Sequence, residues 1–255
     1  MTRGVKLPQF VPILNAFTQR VAGCRMDELL RSPTALARAL ADTQAVIGHD
    51  GVLCNFDPLL LSSACVHHQG GSTQPTDIES VLKSPEEVLS TAPMVTILES
   101  IQPLHHQLPD YASVYVTFSG PELLYSCLQD SLAPGDGSSG VDPDYVIDVI
   151  LNVVRSSLDL KADGIAFIEQ TVSTTPPELL RIYKKVRKLA DFYDAGFLLF
   201  RLPDSETHEA ESLAHCVFNL PPQGDAIQFH YIFCKYRPAR NLYPEIIRYN
   251  GYLVQ

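Results

Sequence analysis

At 255 residues, 45% of them hydrophobic and 19% charged, the chain carries enough apolar material for one large core and suits a single α/β barrel domain over 1–255. Its formal net charge of -10 argues against a phosphate-backbone partner, because nucleic-acid binders carry a basic face, and no apolar run approaches the length of a membrane span. The six cysteines (Cys24, Cys54, Cys65, Cys127, Cys216 and Cys234) lie far apart without a CxxC pair, the pattern of buried thiols in a reducing cytoplasm.

In chain order, residues 11–16 read as a first strand, with Asn15, Thr18, Gln19 and Arg20 clustered where it ends. A short helix over 26–31 follows. Ser32 and Pro33 then open a longer helix through Val46, with Ser32 as N-cap and Gly48 as terminator. The run Val52, Leu53, Cys54 is too short for a helix and follows Gly51, so it reads as a strand buried on both faces. Asn55 and Asp57 stand just past its end, and in a parallel α/β fold that rim is where ligands bind. Asp57 before Pro58 also suits a helix cap.

Residues 67–76, with His67, His68, Gly70 and Gly71, read as a rim loop. Ser84, Pro85, Glu86 and Glu87 start a helix with acids in its first turn, and a second helix covers 93–105. Residues 113–118 alternate into a strand, and Ser119, Gly120, Pro121 and Glu122 turn it into the helix LLYSCLQDSL. After a Gly/Pro/Ser-rich connection over 134–140, apolar residues at helical spacing cover 143–160 and lead into a strand over 165–168, with Glu169 and Gln170 at its end. Pro176 and Pro177 open a helix that carries the one basic run, Lys184, Lys185, Arg187 and Lys188, spread round a solvated face. Gly196 is expected to end that helix before a strand over 197–202 that finishes near Arg201. A helix over 213–217, a strand over 226–229 with His230 beyond it, a helix over 239–249 and a strand over 252–255 complete the pattern. Seven strands separated by helices predict a parallel α/β architecture, one unit short of a closed eight-stranded barrel.

The order of VPILNAFTQR, DGVLCNFD with LLSSACV, SVYVTFSGPELLYSCL, LKADGIAFIEQ, PPELLRIYKKVRKLADFYDAG before FLLFRLPDS, and GDAIQFHY resembles the uroporphyrinogen decarboxylase-like superfamily of TIM barrels. That superfamily includes the haem-pathway decarboxylase and corrinoid:thiol methyltransferases. The resemblance implies that Asp57 matches the decarboxylase aspartate that lies against the substrate's pyrrole nitrogens. It leaves only Arg20 and Arg25 for the basic residues that grip the carboxylates, places Cys127 where the decarboxylases have a tyrosine, and supplies no late histidine. Porphyrinogen decarboxylation does not fit these departures. The methyltransferases hold zinc with a His-x-Cys pair at a strand end where this chain reads Phe200, Arg201, Leu202, Pro203, so neither zinc nor any other cofactor is expected. The nearest alternative ligands are His215, Cys216, His230 and Cys234.

Closure of the strands would gather Asn15, Asp57, Glu169, Arg201, His230 and Gln255 at one mouth. Two acids, a histidine and an arginine suit general acid–base work on an anionic group. The expected catalytic set is Asp57, Glu169 and His230, with Asn15, Arg20, Asn55, Arg201 and Gln255 holding substrate. The expected function is a cytoplasmic, metal-independent lyase, elimination or ring-forming enzyme on a small acidic metabolite. The alternative is a non-catalytic barrel subunit that supports a catalytic partner. Unpaired edge strands further predict association with a second copy or a second barrel-like subunit.

Overall fold

The computed structural model describes residues 10–55, 57–67, 82–132, 140–170, 176–201, 214 and 216–219. The described residues open alongside the first strand, and residues 10–14 form no full strand. Phe10 and Ile13 form single-residue bridges, and the Gly51 amide donates to the Phe10 carbonyl at 3.1 Å. The strand expected over 11–16 is thereby corrected. Pro12 lacks an amide donor for a ladder, and Asn15 already belongs to helix α1, Asn15–Ala22, which ends at Gly23 with a φ of 66°.

Helix α2 (Met26–Leu29) and helix α3 (Pro33–Ile47) follow, the latter capped by the Ser32 hydroxyl accepting from the Ala35 amide at 3.3 Å. Gly48 ends α3 at a φ of 74°, as its position predicts. Strand β1 (Gly51–Leu53) leads into the short helix α4 (Leu60–Cys65). Helix α5 (Pro85–Leu89) starts on a complete capping box between Ser84 and Glu87. Helix α6 (Ala92–Gln107), strand β2 (Ser113–Ser119), helix α7 (Pro121–Leu132) and helix α8 (Pro143–Asp159) come next. Strand β3 (Gly164–Glu169), helix α9 (Pro177–Phe192), strand β4 (Gly196–Arg201) and strand β5 (Cys216–Asn219) complete the described elements.

Strand β5 overturns the helix expected over 213–217. Cys216, Val217 and Phe218 are too few for a stable helix and suit a strand, and they pair in register with Leu198, Leu199 and Phe200. The strands expected over 226–229 and 252–255, and the helix over 239–249, lie outside the described residues.

The five strands are all parallel and hydrogen-bonded in sequence order, β1-β2-β3-β4-β5. Pleating divides their side chains into two sets. Val52, Val114, Val116, Phe118, Ile165, Phe167, Phe197 and Leu199 join one buried cluster with residues of α3, α6, α8 and α9. Leu53, Tyr115, Ala166, Ile168, Leu198 and Phe200 are equally buried but stand outside that cluster, on the opposite face. Crossovers of one hand that always step in the same direction put their helices on one side. The order does not reverse as it does in a doubly wound sheet and is consistent with a barrel-like α/β fold.

One contact sets the lower part of the inner face. Tyr115 is paired with Gly164, and Gly164 with Gly196, so the three share a row across β2, β3 and β4. A Cβ on Gly164 would lie 2.3 Å from the Tyr115 ring, and one on Gly196 would lie 2.5 Å from its hydroxyl. The ring fills the space of two absent side chains. Gly196 is therefore there to make room rather than to end α9. The left-handed residue after α9 is Asp194, with a φ of 53°.

Adding a methyl under that ring is expected to destabilise the fold, as overpacking usually does, by about 1–3 kcal/mol. Gly164→Ala measured by urea denaturation tests this. In a Tyr115→Leu background the same substitution should cost less, and equal costs in the two backgrounds would show that the ring is not the obstacle.

Candidate functional site

Polar residues gather at the carboxyl ends of β1 and β2. The Cys54 thiol bonds to Ser100 of α6 on the helix side, Asn55 follows just past the end of β1, and Thr117 lies on the face of Leu53 and Tyr115. Asn55 and Thr117 are each 2% exposed, and neither the Asn55 amide nitrogen, its oxygen, nor the Thr117 hydroxyl has a hydrogen-bond partner. Each such orphan costs about 1–3 kcal/mol. Native structures rarely leave one without a reason, and an unfilled ligand position is one such reason.

Ser119, one pleat further along β2, donates to the Pro58 carbonyl at 2.9 Å. This bond ties the turn after β1 to the end of β2. Within that turn Asp57 Oδ1 accepts from the Leu59 amide at 2.9 Å, leaving the carboxyl half-buried at the strand end. The cap expected of Asp57 is thus a local turn. Helix α4 itself starts at Leu60 without a side-chain cap.

Glu169 does not join this group. It is 2% exposed and lies on the helix side of β3, where the Leu123 amide donates to its Oε1 at 2.7 Å. A Cβ on Gly120 would fall 1.6 Å from Glu169 Oε2, so only glycine leaves room for the carboxyl. The Tyr183 hydroxyl oxygen, on α9, stands 2.7 Å from Glu169 Oε2 and 3.1 Å from Glu122 Oε1. A phenol has one hydrogen, so bonds to both carboxyls require one of them to be protonated. Burial, reinforced by the neighbouring Glu122 charge, pushes the Glu169 pKa well above the usual carboxylate range. Of the two carboxyls, Glu169 is the one whose protonated form burial favours. Burial also raises the Tyr183 pKa.

Arg201 ends β4 in register with Glu169 and is half-buried. Asn15 lies at the first turn of α1 and lines a small cleft with Pro12, Thr43, His49 and Val52. Arg20 is exposed in the last turn of α1, and Arg25 pairs with Asp27 at 2.8 Å on the surface. Lys184, Lys185 and Lys188 are exposed, the solvated face expected of them. His230 and Gln255 fall outside the described residues, as do His68 and the glycines after it. Among the described residues no group of three or more His, Cys, Asp or Glu stands close enough to hold a metal ion, and no helix is long and apolar enough to cross a membrane.

Sequence reasoning missed Thr117, Ser119, Glu122 and Tyr183. The first two were visible as polar residues at alternate positions of SVYVTFS. Tyr183 stands on the apolar stripe of α9 with Leu179, Ile182 and Val186, where its hydroxyl needs a buried partner.

No protein-family model matches the chain, and no curated protein matches it. Among solved structures it is similar to a methyltransferase from Methanosarcina mazei, with a TM-score of 0.54 and 14% identity over 79% of this chain and 66% of that one. The chain thus spans just under two thirds of that methyltransferase. At this identity the likeness is one of fold, a parallel α/β architecture consistent with a barrel-like protein.

A raised Glu169 pKa has a definite sign. Its favourable contribution is complete below the unfolded value of about 4.3 and is lost as pH rises toward the folded value. Gln in its place can accept from Leu123 and donate to Tyr183, as the protonated acid does. Glu169→Gln is therefore expected to match or exceed the parent's stability at pH 7 and to lose less stability between about pH 5 and 8. His49, whose pKa burial lowers to about 4, acts in the opposite direction below about 6.5. Subtracting the two denaturation series removes its effect. A large loss of stability in the Gln variant at pH 7 would mean that Glu169 is ionised.

Proposed function

We propose that this chain is a divergent uroporphyrinogen decarboxylase-like barrel enzyme that acts on a small acidic metabolite by general acid–base chemistry at the carboxyl ends of its strands. The observation that carries the reading is that Asn55, just past the end of β1, and Thr117, on β2, are buried with unpaired polar atoms. Barrels of this kind place their chemistry at that end of the sheet. The sequential parallel strand order and the fold likeness to a methyltransferase support the barrel.

In this reading Asp57 moves the proton, because its carboxyl is held at the strand end by the Leu59 amide and stays half-buried there. Arg201 starts on the Glu169 side of the sheet and reaches over the end of β4 to the anionic group of the substrate. Asn55 and Thr117 orient its recessed part. His230 serves as the acid–base partner and Gln255 as a rim contact, as the sequence pattern suggests. Glu169, behind the strand, supports the wall instead of touching substrate, and Arg20 on the outer surface of α1 has no part. Methyl transfer is the less favoured chemistry, because Arg201 stands where the methyltransferase branch carries zinc ligands. The partner expected from the sequence, a second copy or a second barrel-like subunit, belongs to the same proposal. Light scattering tests it, and a monomer at micromolar concentration would remove it.

A thermal-shift screen of small carboxylic acids tests the enzyme reading. At least one acid is expected to raise the melting temperature, and Arg201→Gln to weaken that acid by about tenfold or more. Asp57→Asn should keep the binding and lose turnover by about a hundredfold or more. Full turnover in that variant would overturn the role of Asp57. Binding without turnover in the parent chain would favour the non-catalytic subunit.

A further inference from the structure

Helix α8 leads into β3 and helix α9 into β4, and those two strands pair along their length. The Tyr193 hydroxyl, just past α9, donates to Asp159 Oδ1 at the end of α8, so the two helices lie side by side with their ends level. Their outer faces carry opposite charge. On α9, opposite the buried stripe of Leu179, Ile182, Val186 and Ala190, the exposed Arg181, Lys185 and Lys188 follow at spacings of four and three residues, which puts them in one line. On α8, Asp144 and Asp148 are exposed, and α5 adds the exposed Glu86, whose Oε1 accepts from Asn152 Nδ2 at 3.4 Å. Among the described residues none of these cations or acids is held in an ion pair of its own chain.

The bond at the helix ends also sets the heights. At a rise of about 1.5 Å per residue, Asp148 stands about 17 Å above Asp159, and Arg181 stands about 18 Å above Tyr193. Asn152, which holds Glu86, is about 11 Å up, and Lys185 about 12 Å. A two-fold axis running between α8 and α9, parallel to both, lays α8 of one copy on α9 of the other and keeps every height. Asp148 then meets Arg181, Glu86 meets Lys185, and each pair occurs twice. An axis across the helices would set acids on acids and cations on cations. Resting on the self-association proposed above, we infer that α8 and α9, with the edge of α5, form a two-fold interface between two copies of this chain.

Phe192 belongs to the same contact. It ends α9 on the line of Arg181, Lys185 and Lys188, and it is 81% exposed. Arg155 of α8 is exposed about 6 Å above Asp159, within a side chain's reach of the Phe192 ring of the other copy. Its guanidinium lies on that ring, at the level where it would otherwise meet only Lys188. The formal charge of -10 on each copy opposes association. At physiological ionic strength, however, that long-range repulsion is screened beyond about 8 Å, and charges in contact are screened less. Exposed ion pairs are individually weak, so the dimer is sensitive to salt.

Sedimentation of the full chain at micromolar concentration, in about 0.15 M and about 1 M NaCl, is the test. The parent is expected to dimerise and to dissociate about tenfold more readily at the higher salt. Arg181→Glu with Lys185→Glu should be monomeric, and so should Glu86→Lys with Asp148→Lys. Mixed in equal amounts, these two double variants carry complementary charges at both contacts and should pair with each other, which also shows that both are folded. Should either fail to fold, Phe192→Ala leaves every charge in place and is expected to loosen the parent dimer about tenfold. Dimers that persist in both double variants, that ignore salt, or that are untouched by Phe192→Ala overturn this interface and leave the association standing. Folded monomeric variants that do not pair when mixed overturn it as well. A parent that stays monomeric ends both readings, and if it then sediments with vesicles of anionic phospholipid, the basic line of α9 serves a membrane surface instead.

Discussion

Where the Glu169 carboxyl lies decides how the last helices meet the sheet. It occupies the place of a Gly120 side chain, accepts from the first turn of α7 and reaches Tyr183 on α9. One side chain on β3 thereby fixes two helices on the same side of the sheet. An ionised acid in that position would face Glu122 in a dry interior, and holding a proton converts the repulsion into a chain of hydrogen bonds. The Phe167 ring, 6.2 Å from the Tyr183 ring and 5.2 Å from that of Phe197, closes the packing beneath.

Buried polar groups near the strand ends thus fall into two kinds. Glu169 is bonded to the Leu123 amide and to Tyr183 and holds helices to the sheet. Asn55 and Thr117 are left unpaired, at a cost that packing elsewhere must offset. Functional sites are where such local inconsistencies belong. Glu169 and its neighbour Ile168 take opposite faces of β3, because pleating sends neighbours to opposite sides.

Much of the fold was legible because its signals are local. Ser32 and Pro33, the capping box at Ser84 and Glu87, and the apolar stripe from Val146 to Leu158 each fix an element with nearby residues alone. What failed depended on distant partners. Cys216 to Phe218 becomes a strand because Leu198 to Phe200 offers an edge, which no local pattern reveals. Gly196 looks like a helix stop until Tyr115, 81 positions earlier by residue number, is seen to fill its side-chain space. The site was legible to the same degree: the strand end was found through Asn55 and Asp57. Which face Glu169 takes is set by the register that pairs Ser119 with Ile168, and a one-residue difference reverses it.

Tyr115 also ties three strands to one ring. It lies one row below Thr117, fully buried, in the space that side chains on Gly164 and Gly196 would need. A smaller residue there would leave β3 and β4 facing a gap that neither glycine can fill, so a single change on β2 loosens two other strands together.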